Sequence, residues 1–527
     1  MQVTEKNVPL QTESVMVALR QYRMPLTHFS ALMSVLTLLF YNIPFFAFVS
    51  EHYDGSLWGR IMIVAGMTVV MLAMNFLACY LLVFLFRYAG RVILALSLFL
   101  NAVCTYFVVV YHTMMDGTMM SNVFNTRGVE ASGFLSPWLF VWIAFLGILP
   151  AVYALWQRVD YGSWKRMGAS AGIALGTIGV CVLLNFNIIL WIGKYDAQLG
   201  GLLMPWSYTV NSCRVLAERH KSEQKEILLP DASFRDTQKT AVVLVIGESA
   251  RKANFSLYGY DRQTNPRLSA RDDIYALQAR SCATYTTAGV KSMLEYAPKR
   301  KLYEILPNYL YRTGADVVWR THNWGEPPVH IGEYVKFGTL KRQYPDLPEY
   351  DNLLFEGIKQ RIVESDKDKV FIVLHTTTSH GPQYTKYYPD EFAVFQPVCS
   401  SVEEGKNNLP GLINAYDNSI VYTDYLLSNL IDSLATISDR HTAMLFVSDH
   451  GESLGENSLF MHGVPMAVAP KEQYEIPFLV WLSPGFRQIK RFDEEIDQHY
   501  VFHSILNLMS VSSPIYDKEK DIFNGND

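Results

Sequence analysis

The stretch Val242-Val243-Leu244-Val245-Ile246-Gly247-Glu248 is an apolar, β-branched run that ends in a glycine and a carboxylate. Two later runs end in polar residues as well: Phe371 to Leu374 leads into His375, and Met444 to Ser448 leads into Asp449-His450. Helical stretches separate these runs, which predicts a mostly parallel sheet covered by helices on both faces. Ligands of such a sheet gather outside the carboxyl ends of its strands. We therefore expect the polar residues that follow the runs to meet in one crevice.

The residue types in this crevice indicate a metal site. Glu248, Asp449 and His450 offer carboxylate and imidazole groups, which suit zinc. The Asp-His pair directly after a buried strand is the most specific of these local signals. A hydroxyl that lies on zinc is acidified enough to attack phosphorus near neutral pH. These features predict a metal-dependent enzyme that handles phosphate groups.

The attacking hydroxyl is expected in the segment Ser281-Cys282-Ala283-Thr284-Tyr285-Thr286-Thr287. Spacing alone does not decide which of its three threonines attacks. Two histidines on expected loops, His380 and His462, each precede a glycine. Either one taken alone is more often structural. In a site that holds a phosphate diester, however, both can donate hydrogen bonds to it or protonate its leaving group.

The first two hundred residues differ in composition from the rest and belong in a bilayer. Five apolar runs are long enough to cross a hydrocarbon core of about 30 Å, at about residues 27–49, 61–86, 92–112, 137–156 and 168–193. The segments that share one side are rich in basic residues, which predicts that they are cytoplasmic: Arg20, Arg23, Arg87, Arg91, Arg158, Lys165 and Arg166. An odd number of crossings then places everything after about residue 194 outside, which is the periplasm in a two-membrane bacterium.

Composition divides the 527 residues into three parts. We expect a transmembrane domain over 1–194, a linker with an interfacial helix near Tyr208 to Ile227 over 195–239, and one soluble catalytic domain over 240–527. The net charge of −5 gives no basic field of the kind that nucleic acid requires, so no nucleic-acid partner is expected. Six cysteines are too few for a disulfide scaffold, although one bridge outside the membrane is open.

Longer motifs surround the candidate residues. In these motifs the chain resembles the bacterial lipid A phosphoethanolamine transferases: Val245-Ile246-Gly247-Glu248-Ser249-Ala250-Arg251, Asn254-Phe255-Ser256-Leu257-Tyr258-Gly259-Tyr260, His380-Gly381-Pro382, Asn414-Ala415-Tyr416-Asp417-Asn418 and Val447-Ser448-Asp449-His450-Gly451-Glu452. The similarity covers nearly the whole chain, because the five-span anchor also fits. It implies an alkaline-phosphatase-like domain, related to sulfatases, that faces the periplasm from an anchor in the inner membrane.

The resemblance also implies roles for residues. It implies one or two zinc ions, with Glu248, Thr286, Asp449 and His450 as ligands. Thr286 would be the nucleophile, and His380 and His462 would handle the bound headgroup or a second zinc.

The reaction that the resemblance implies is ping-pong. Phosphatidylethanolamine would pass its phosphoethanolamine group to the threonine, and lipid A or lipopolysaccharide would then accept it. The added ammonium group would offset phosphate charge on lipid A and weaken the binding of cationic peptides such as polymyxin.

Four more residues gain a substrate-binding role from the resemblance. Asn122, Thr126 and Glu130 recur every four residues, so on a helix they form one polar stripe. Read alone, that segment is equally a solvated loop helix. The resemblance makes it a periplasmic helix, over about 113–136, whose stripe lines the donor site. Asn323 matches a substrate-binding asparagine of the family, although Pro327 stands where a lysine would help.

The chain also departs from the family pattern at its cysteines. Family members commonly bridge the cysteine of the nucleophile loop to another cysteine ten residues on, where this chain has Ser292. A second family pair would join Cys399 to the position that Asn407 occupies. Either Cys282 bridges to Cys399 instead, or both thiols are free.

Other function classes remain open from the sequence. The same chemistry could serve another periplasmic acceptor, such as a glucan or a protein, or become hydrolysis as in a sulfatase or phosphodiesterase. A threonine in place of the cysteine or serine of a sulfatase-type activating motif argues against a sulfatase. A non-catalytic membrane sensor would not need the intact set of four metal-binding residues.

Overall fold

The computed structural model describes residues 23–53, 56–125, 135–184, 195–222, 226–299, 301–405, 407–490 and 494–523. The chain falls into two compact units, one within 1–120 and 135–214 and the other within 121–134 and 215–527. Apolar helices build the first unit, and a large sheet lies at the centre of the second. The three-part division with boundaries at 194 and 239 stays a prediction.

The first unit consists of helices rich in apolar residues. Their bounds are Leu26–Tyr41, Ile43–His52, Leu57–Tyr111, Pro137–Trp156, Trp164–Leu184 and Asp196–Leu202, and the helices Gly117–Asn125 and Trp206–Ser222 contain the unit boundaries at 120 and 214. By length and hydropathy, 3 of the described helices can cross a membrane, or 4 when the first two, bent by 59°, count as one span. This count is lower than the five spans predicted.

The helix Leu57–Tyr111 explains the difference, because it contains two of the predicted spans. Its 55 residues far exceed the roughly 20 that one crossing needs. Arg87 interrupts the helical backbone with φ 51° and ψ −117°. A Cβ added to Gly90 would lie 2.3 Å from the carbonyl oxygen of Leu82, so the chain reverses direction between these residues. The helix Leu57–Tyr111 therefore contains two consecutive apolar segments, joined at the reversal near Arg87.

The predicted interfacial helix ends earlier than expected. It runs from Trp206 to Ser222 and does not reach Ile227. Ile227 instead forms an isolated parallel bridge with Tyr303. The nearby Leu229 is 4% exposed and packs in the hydrophobic core of the second unit. The prediction of helix up to Ile227 was wrong because the backbone of Ile227 pairs with the segment of Tyr303 instead of continuing the helix.

An eight-stranded sheet confirms the predicted architecture of the second unit. Its strands are β1 (Thr240–Gly247), β2 (Ile274–Arg280), β3 (Asp316–Thr321), β4 (Glu333–Lys336), β5 (Lys369–His375), β6 (His441–Ser448), β7 (Glu475–Leu482) and β8 (Ile496–Asp497). They are ordered β8-β2-β7-β6-β1-β5-β3-β4. Within this sheet, β7 is antiparallel to its neighbours β2 and β6, and the other pairs are parallel.

Helices cover both faces of this sheet. Their bounds are Thr286–Leu294, Leu306–Thr313, Phe337–Gln343, Asn352–Phe355, Ile358–Val363, Val402–Gly405, Leu409–Ala435 and Tyr500–Leu508. All eight residues of β1 are buried, and successive side chains of a strand point to opposite faces. Leu244 accordingly packs in one core with Val290, and Val243 packs in the other with Ile420. Burial on both faces explains why the run is apolar throughout rather than alternating.

Candidate active site

The register between β1 and β6 brings the two predicted carboxylates together. Gly247 pairs with Ser448 in this parallel ladder, and the Asp449 amide donates to the Gly247 carbonyl over 2.9 Å. Glu248 and Asp449 therefore follow directly after adjacent strands, at the same level along the sheet. Both residues are fully buried, and so is His450.

Four side chains converge at this point. The Nε2 atom of His450 lies 3.5 Å from Glu248 Oε1 and 3.3 Å from Asp449 Oδ2. Thr286 Oγ1 lies 3.3 Å from the same nitrogen and 3.4 Å from Glu248 Oε2. The other ring nitrogen, Nδ1, lies 2.8 Å from the Gly451 carbonyl, which can accept its proton. That contact directs an unprotonated Nε2 toward the carboxylates, as a metal-binding histidine requires.

The electrostatics of this centre fit a bound cation. Asp449 Oδ1 accepts hydrogen bonds from the Ser249 and His450 amides, whereas its buried Oδ2 has no hydrogen-bond partner among the described residues. Burial and the neighbouring Glu248 raise the pKa of Asp449 well above its ordinary value. Burial and His462 lower the pKa of His450 to about 3. Two buried carboxylates beside a neutral imidazole are costly without a positive charge, which a divalent metal ion would supply.

The structure also separates two of the three candidate threonines, Thr284 and Thr286. Thr286 begins the helix Thr286–Leu294 and presents its hydroxyl to Glu248 and His450. The Thr284 hydroxyl donates instead to the Val464 carbonyl over 2.6 Å. Thr286 is therefore placed at the centre, and Thr284 is engaged elsewhere.

Two predicted histidines lie beside these groups. His462 has its ring centroid 4.2 Å from that of His450 and 5.9 Å from that of His380. Its Nδ1 lies 2.8 Å from Glu452 Oε2. Glu452 also accepts a hydrogen bond from the Tyr384 hydroxyl over 3.0 Å. Contacts with His462 and Tyr384 therefore hold its carboxylate in place. A carboxylate on Nδ1 can stabilise a protonated imidazole, as an acid catalyst requires.

The remaining predicted residues are placed differently. Asn323 donates to Glu248 Oε2 over 2.6 Å and to the Thr376 carbonyl over 2.9 Å, so it orients a member of the centre. His375, at the end of β5, faces Glu326 at 3.7 Å. Asn122 lies on the helix Gly117–Asn125. Thr126 and Glu130 lie outside the described residues.

Sequence reasoning missed Glu452 and Ser249. The Ser249 hydroxyl donates to Glu248 Oε1 over 2.7 Å, which restrains the carboxylate. Glu452 and His462 flank a short antiparallel pair, Ser453–Leu454 with Phe460–Met461, which brings them together. The signal was present in the sequence as a glutamate and a histidine at the two ends of one loop.

The question of the cysteines is settled by their positions. All six lie in the described part of the chain, and none forms a disulfide. Cys399 is buried, and its thiol faces the Asn408 carbonyl at 3.3 Å. A bridge between Cys282 and Cys399, one of the two alternatives, is thus absent.

A close approach holds the helix of Thr286 against the metal-binding loop. A Cβ added to Gly289 would lie 2.1 Å from the Asp449 carbonyl oxygen. Contacts this short do not occur, so any side chain here must displace the helix or the loop. Glycine at this position therefore sets the distance between Thr286 and Asp449.

We expect Gly289→Ala to lower the free energy of unfolding by about 1–3 kcal/mol through overpacking. It should also reduce bound metal, because the ligands shift apart. Thermal unfolding and metal analysis of the full chain measure both effects. Gly338→Ala is the matched control, since its helical Cβ meets no atom within 4 Å. Equal stability and metal content in the two variants would contradict the close approach.

Comparisons with known proteins agree with this arrangement. Carboxylates and a histidine at the strand ends of a mostly parallel sheet define a sulfatase-like domain, and the sulfatase family model matches residues 240–511. A model of phosphoethanolamine transferase EptA/EptB matches residues 71–220. The chain belongs to the phosphoethanolamine transferase EptA family. It is an integral membrane protein with a soluble domain.

Individual relatives support this assignment. Phosphoethanolamine transferase EptA of Helicobacter pylori is 37% identical over 482 residues, covering 89% of this chain and 90% of the relative. Phosphatidylethanolamine transferase Mcr-1 of Escherichia coli is 30% identical over 427 residues, covering 75% and 79%. Among solved structures, the integral membrane lipooligosaccharide phosphoethanolamine transferase A of Neisseria meningitidis has a TM-score of 0.84 at 27% identity, covering 95% of this chain and 99% of that one.

Proposed function

We propose that this chain transfers phosphoethanolamine from phosphatidylethanolamine to lipid A or lipopolysaccharide. The observation that carries the proposal is the convergence of the Thr286 hydroxyl with Glu248, Asp449 and His450 in a fully buried centre. Family membership supplies the group that is transferred. The relatives named above carry phosphoethanolamine or phosphatidylethanolamine transferase in their names.

The proposed cofactor is Zn²⁺, in one or two ions. Glu248, Thr286, Asp449 and His450 would hold it, and their carboxylate and imidazole groups are ligands that zinc accepts. Bound there, Zn²⁺ would supply the Lewis-acid charge that lowers the pKa of a hydroxyl and offsets charge on a phosphate. The unsatisfied Oδ2 of Asp449 supports a cation at this place.

In the first half-reaction, Thr286 Oγ1 attacks the phosphorus of phosphatidylethanolamine. Its proton passes to the acceptor that faces it, Glu248 Oε2 at 3.4 Å. The bond between phosphorus and the glycerol oxygen breaks, and diacylglycerol departs. His462, backed by Glu452, is positioned to give that oxygen its proton. Phosphoethanolamine then remains on the threonine.

In the second half-reaction, a phosphate or hydroxyl of the acceptor attacks the phosphothreonine. The bond between phosphorus and Thr286 Oγ1 breaks, and Glu248 returns the proton to the threonine, while a hydroxyl acceptor gives its own proton to His462. His380 and His462 are proposed to hold the headgroup during both steps, and Asn323 to keep Glu248 oriented. Transfer instead of hydrolysis requires that the acceptor displace water from the centre.

The membrane part has a proposed role in the same reaction. Asn122, Thr126 and Glu130 would bind the donor headgroup. The five predicted crossings would anchor the chain in the bacterial inner membrane with the catalytic domain in the periplasm, where both lipids are accessible.

Mass spectrometry of lipid A tests the proposal. A Gram-negative host without its own phosphoethanolamine transferases would express this chain, and the empty host would be the control. A phosphoethanolamine adduct on lipid A or the core sugars is expected. Adducts on periplasmic glucans or proteins alone would assign another acceptor. Release of free phosphoethanolamine without any adduct would assign a hydrolase and contradict the proposal.

A further inference from the structure

A second cluster of metal-binding side chains lies apart from the candidate active site. It consists of Cys282, Asp497 and His499. Cys282 lies two residues after the end of β2, and Asp497 ends β8, where it pairs with Arg280, the last residue of β2. This parallel pairing brings the cysteine to the carboxylate and the imidazole. No sequence motif indicates the cluster, because the cysteine is remote in the chain from the other two residues.

The distances in this cluster fit a metal ion. Cys282 Sγ lies 3.3 Å from His499 Nδ1, which lies 3.3 Å from Asp497 Oδ1. One ligand atom from each residue lies within 4.8 Å of the others. Bond lengths in a tetrahedral zinc site, about 2.3 Å to sulfur and 2.0 Å to nitrogen or oxygen, require separations of about 3.5 Å and 3.3 Å. The two separations that involve His499 Nδ1 are therefore within about 0.2 Å of those of a tetrahedral site, and the third needs a movement of at most about 1.3 Å.

The imidazole is held in the orientation that metal binding requires. His499 is 6% exposed, and its Nε2 faces Glu295 Oε1 at 3.6 Å while making no hydrogen bond to the described residues. A carboxylate behind the far nitrogen orients metal-binding histidines and leaves the near nitrogen free to bind. Glu295 is itself held by Lys291 at 3.4 Å. The Asp497 side chain is 40% exposed, which opens a path for an ion from solvent.

We propose that Cys282 Sγ, His499 Nδ1 and the Asp497 carboxylate bind a divalent transition-metal ion such as Zn²⁺, with water completing the coordination. A thiolate and an imidazole favour zinc over Mg²⁺ or Ca²⁺. The thiol proton, and any proton on His499 Nδ1, passes to solvent when the ion binds. This site contains sulfur, unlike the candidate active site, and does not depend on the proposed transferase activity.

The position of Gln498 gives the second site a structural role. Its Oε1 accepts from the Cys282 amide over 2.9 Å, and its Nε2 donates to the Asp449 carbonyl over 2.7 Å. Asp497 and His499, two ligands of the second site, thus flank Gln498. Gln498 joins the segment that leads to Thr286 to the loop that contains Asp449. An ion there would restrain both segments and stabilise the arrangement of the candidate active site.

Cobalt absorption tests the second site on the full chain in detergent. Co²⁺ bound to a thiolate gives a charge-transfer band in the near ultraviolet, which ligation by oxygen and nitrogen alone does not. We expect a band that saturates at one Co²⁺ per chain and disappears in Cys282→Ser. His499→Gln should weaken Co²⁺ binding at least about tenfold. Cys399→Ser, which removes another free thiol, should keep the band.

A second measurement needs no variant. Zn²⁺ should slow alkylation of Cys282 in the unmodified chain at least about tenfold, as followed by peptide mass spectrometry. The exposed Cys213 is the internal control and should react at the same rate with and without Zn²⁺. A missing thiolate band, a band that survives Cys282→Ser, or alkylation of Cys282 that Zn²⁺ does not slow would overturn the proposal.

Discussion

Thr286→Ala is expected to lower phosphoethanolamine transfer at least about 10³-fold, because the variant lacks the oxygen that forms the covalent intermediate. The remaining groups of the centre stay in place, since Thr286 contributes one hydroxyl and no backbone contact would change. Transfer to lipid A can be followed with purified full-length chain and labelled phosphatidylethanolamine. Incubation without acceptor should also leave phosphoethanolamine on the peptide that contains Thr286, and the variant should not carry it.

Thr287→Ala is the matched control for this substitution. It removes the neighbouring hydroxyl from the same helix and should retain activity within a few-fold of the unmodified chain. Full transfer by Thr286→Ala, or a modified peptide that maps to Thr284 or Thr287, would move the nucleophile away from Thr286. Complete loss of activity in both variants would indicate damage to the helix instead of loss of a nucleophile.

Asp449→Asn is expected to have opposite effects on stability with and without metal. Zn²⁺ at 100 times its Kd should stabilise the folded, unmodified chain by about 2.7 kcal/mol. Removal of the ion should therefore lower the midpoint of thermal unfolding by about 5 °C. The variant should lose most of this stabilisation because it lacks a ligand charge. Without metal, however, it should be the more stable protein near neutral pH.

The greater stability expected of the metal-free variant follows from the buried pair of carboxylates, Glu248 and Asp449. Burial and Glu248 raise the pKa of Asp449 in the metal-free fold, so the folded state holds a proton that the unfolded chain releases. Metal-free stability therefore falls as pH rises from the unfolded pKa of about 3.9 through the raised folded value. Asparagine has no such proton and keeps the acceptor that the Ser249 and His450 amides use.

The exposed Asp439→Asn is the control for the change from carboxylate to amide. Its half-exposed carboxylate lies 3.6 Å from Lys239 and 3.5 Å from Arg440, so the change should shift stability by no more than about 1 kcal/mol in either condition. Thermal unfolding of the full chain in detergent, with Zn²⁺ and with a chelator, measures all three proteins. A metal-free Asp449→Asn that is less stable than the unmodified chain would argue against a strained carboxylate pair.

The sheet and the core of the candidate site could be predicted from the sequence because each signal was local. Glu248 and Asp449 follow apolar runs directly, and parallel strands present their carboxyl ends at one edge. The choice of Thr286 required geometry, since Thr284 and Thr286 differ in where their hydroxyls point and not in their surroundings along the chain. The family resemblance alone, without the structure, implies that Thr286 is the nucleophile.

Features that depend on long-range contacts could not be predicted. Cys282 and His499 meet because β2 and β8 pair, and neither residue carries a recognisable motif. Arg87 and Arg91 separate the two predicted spans in the sequence, but nothing in the sequence indicates the tight reversal near Gly90 that joins them within one continuous helix. Glu452 was part of a quoted motif, yet its contact with His462 depends on how the loop between them folds.

The pairing of Gly247 with Ser448 limits how the two strands can change over evolution. One residue inserted into β1 or β6 would move a carboxylate by about 3.3 Å and turn it to the opposite face of the sheet. Insertions in the surface loops that join the strands carry no such penalty. Divergence in length should therefore accumulate in those loops, while the number of residues between the core of each strand and its carboxylate stays constant among functional descendants.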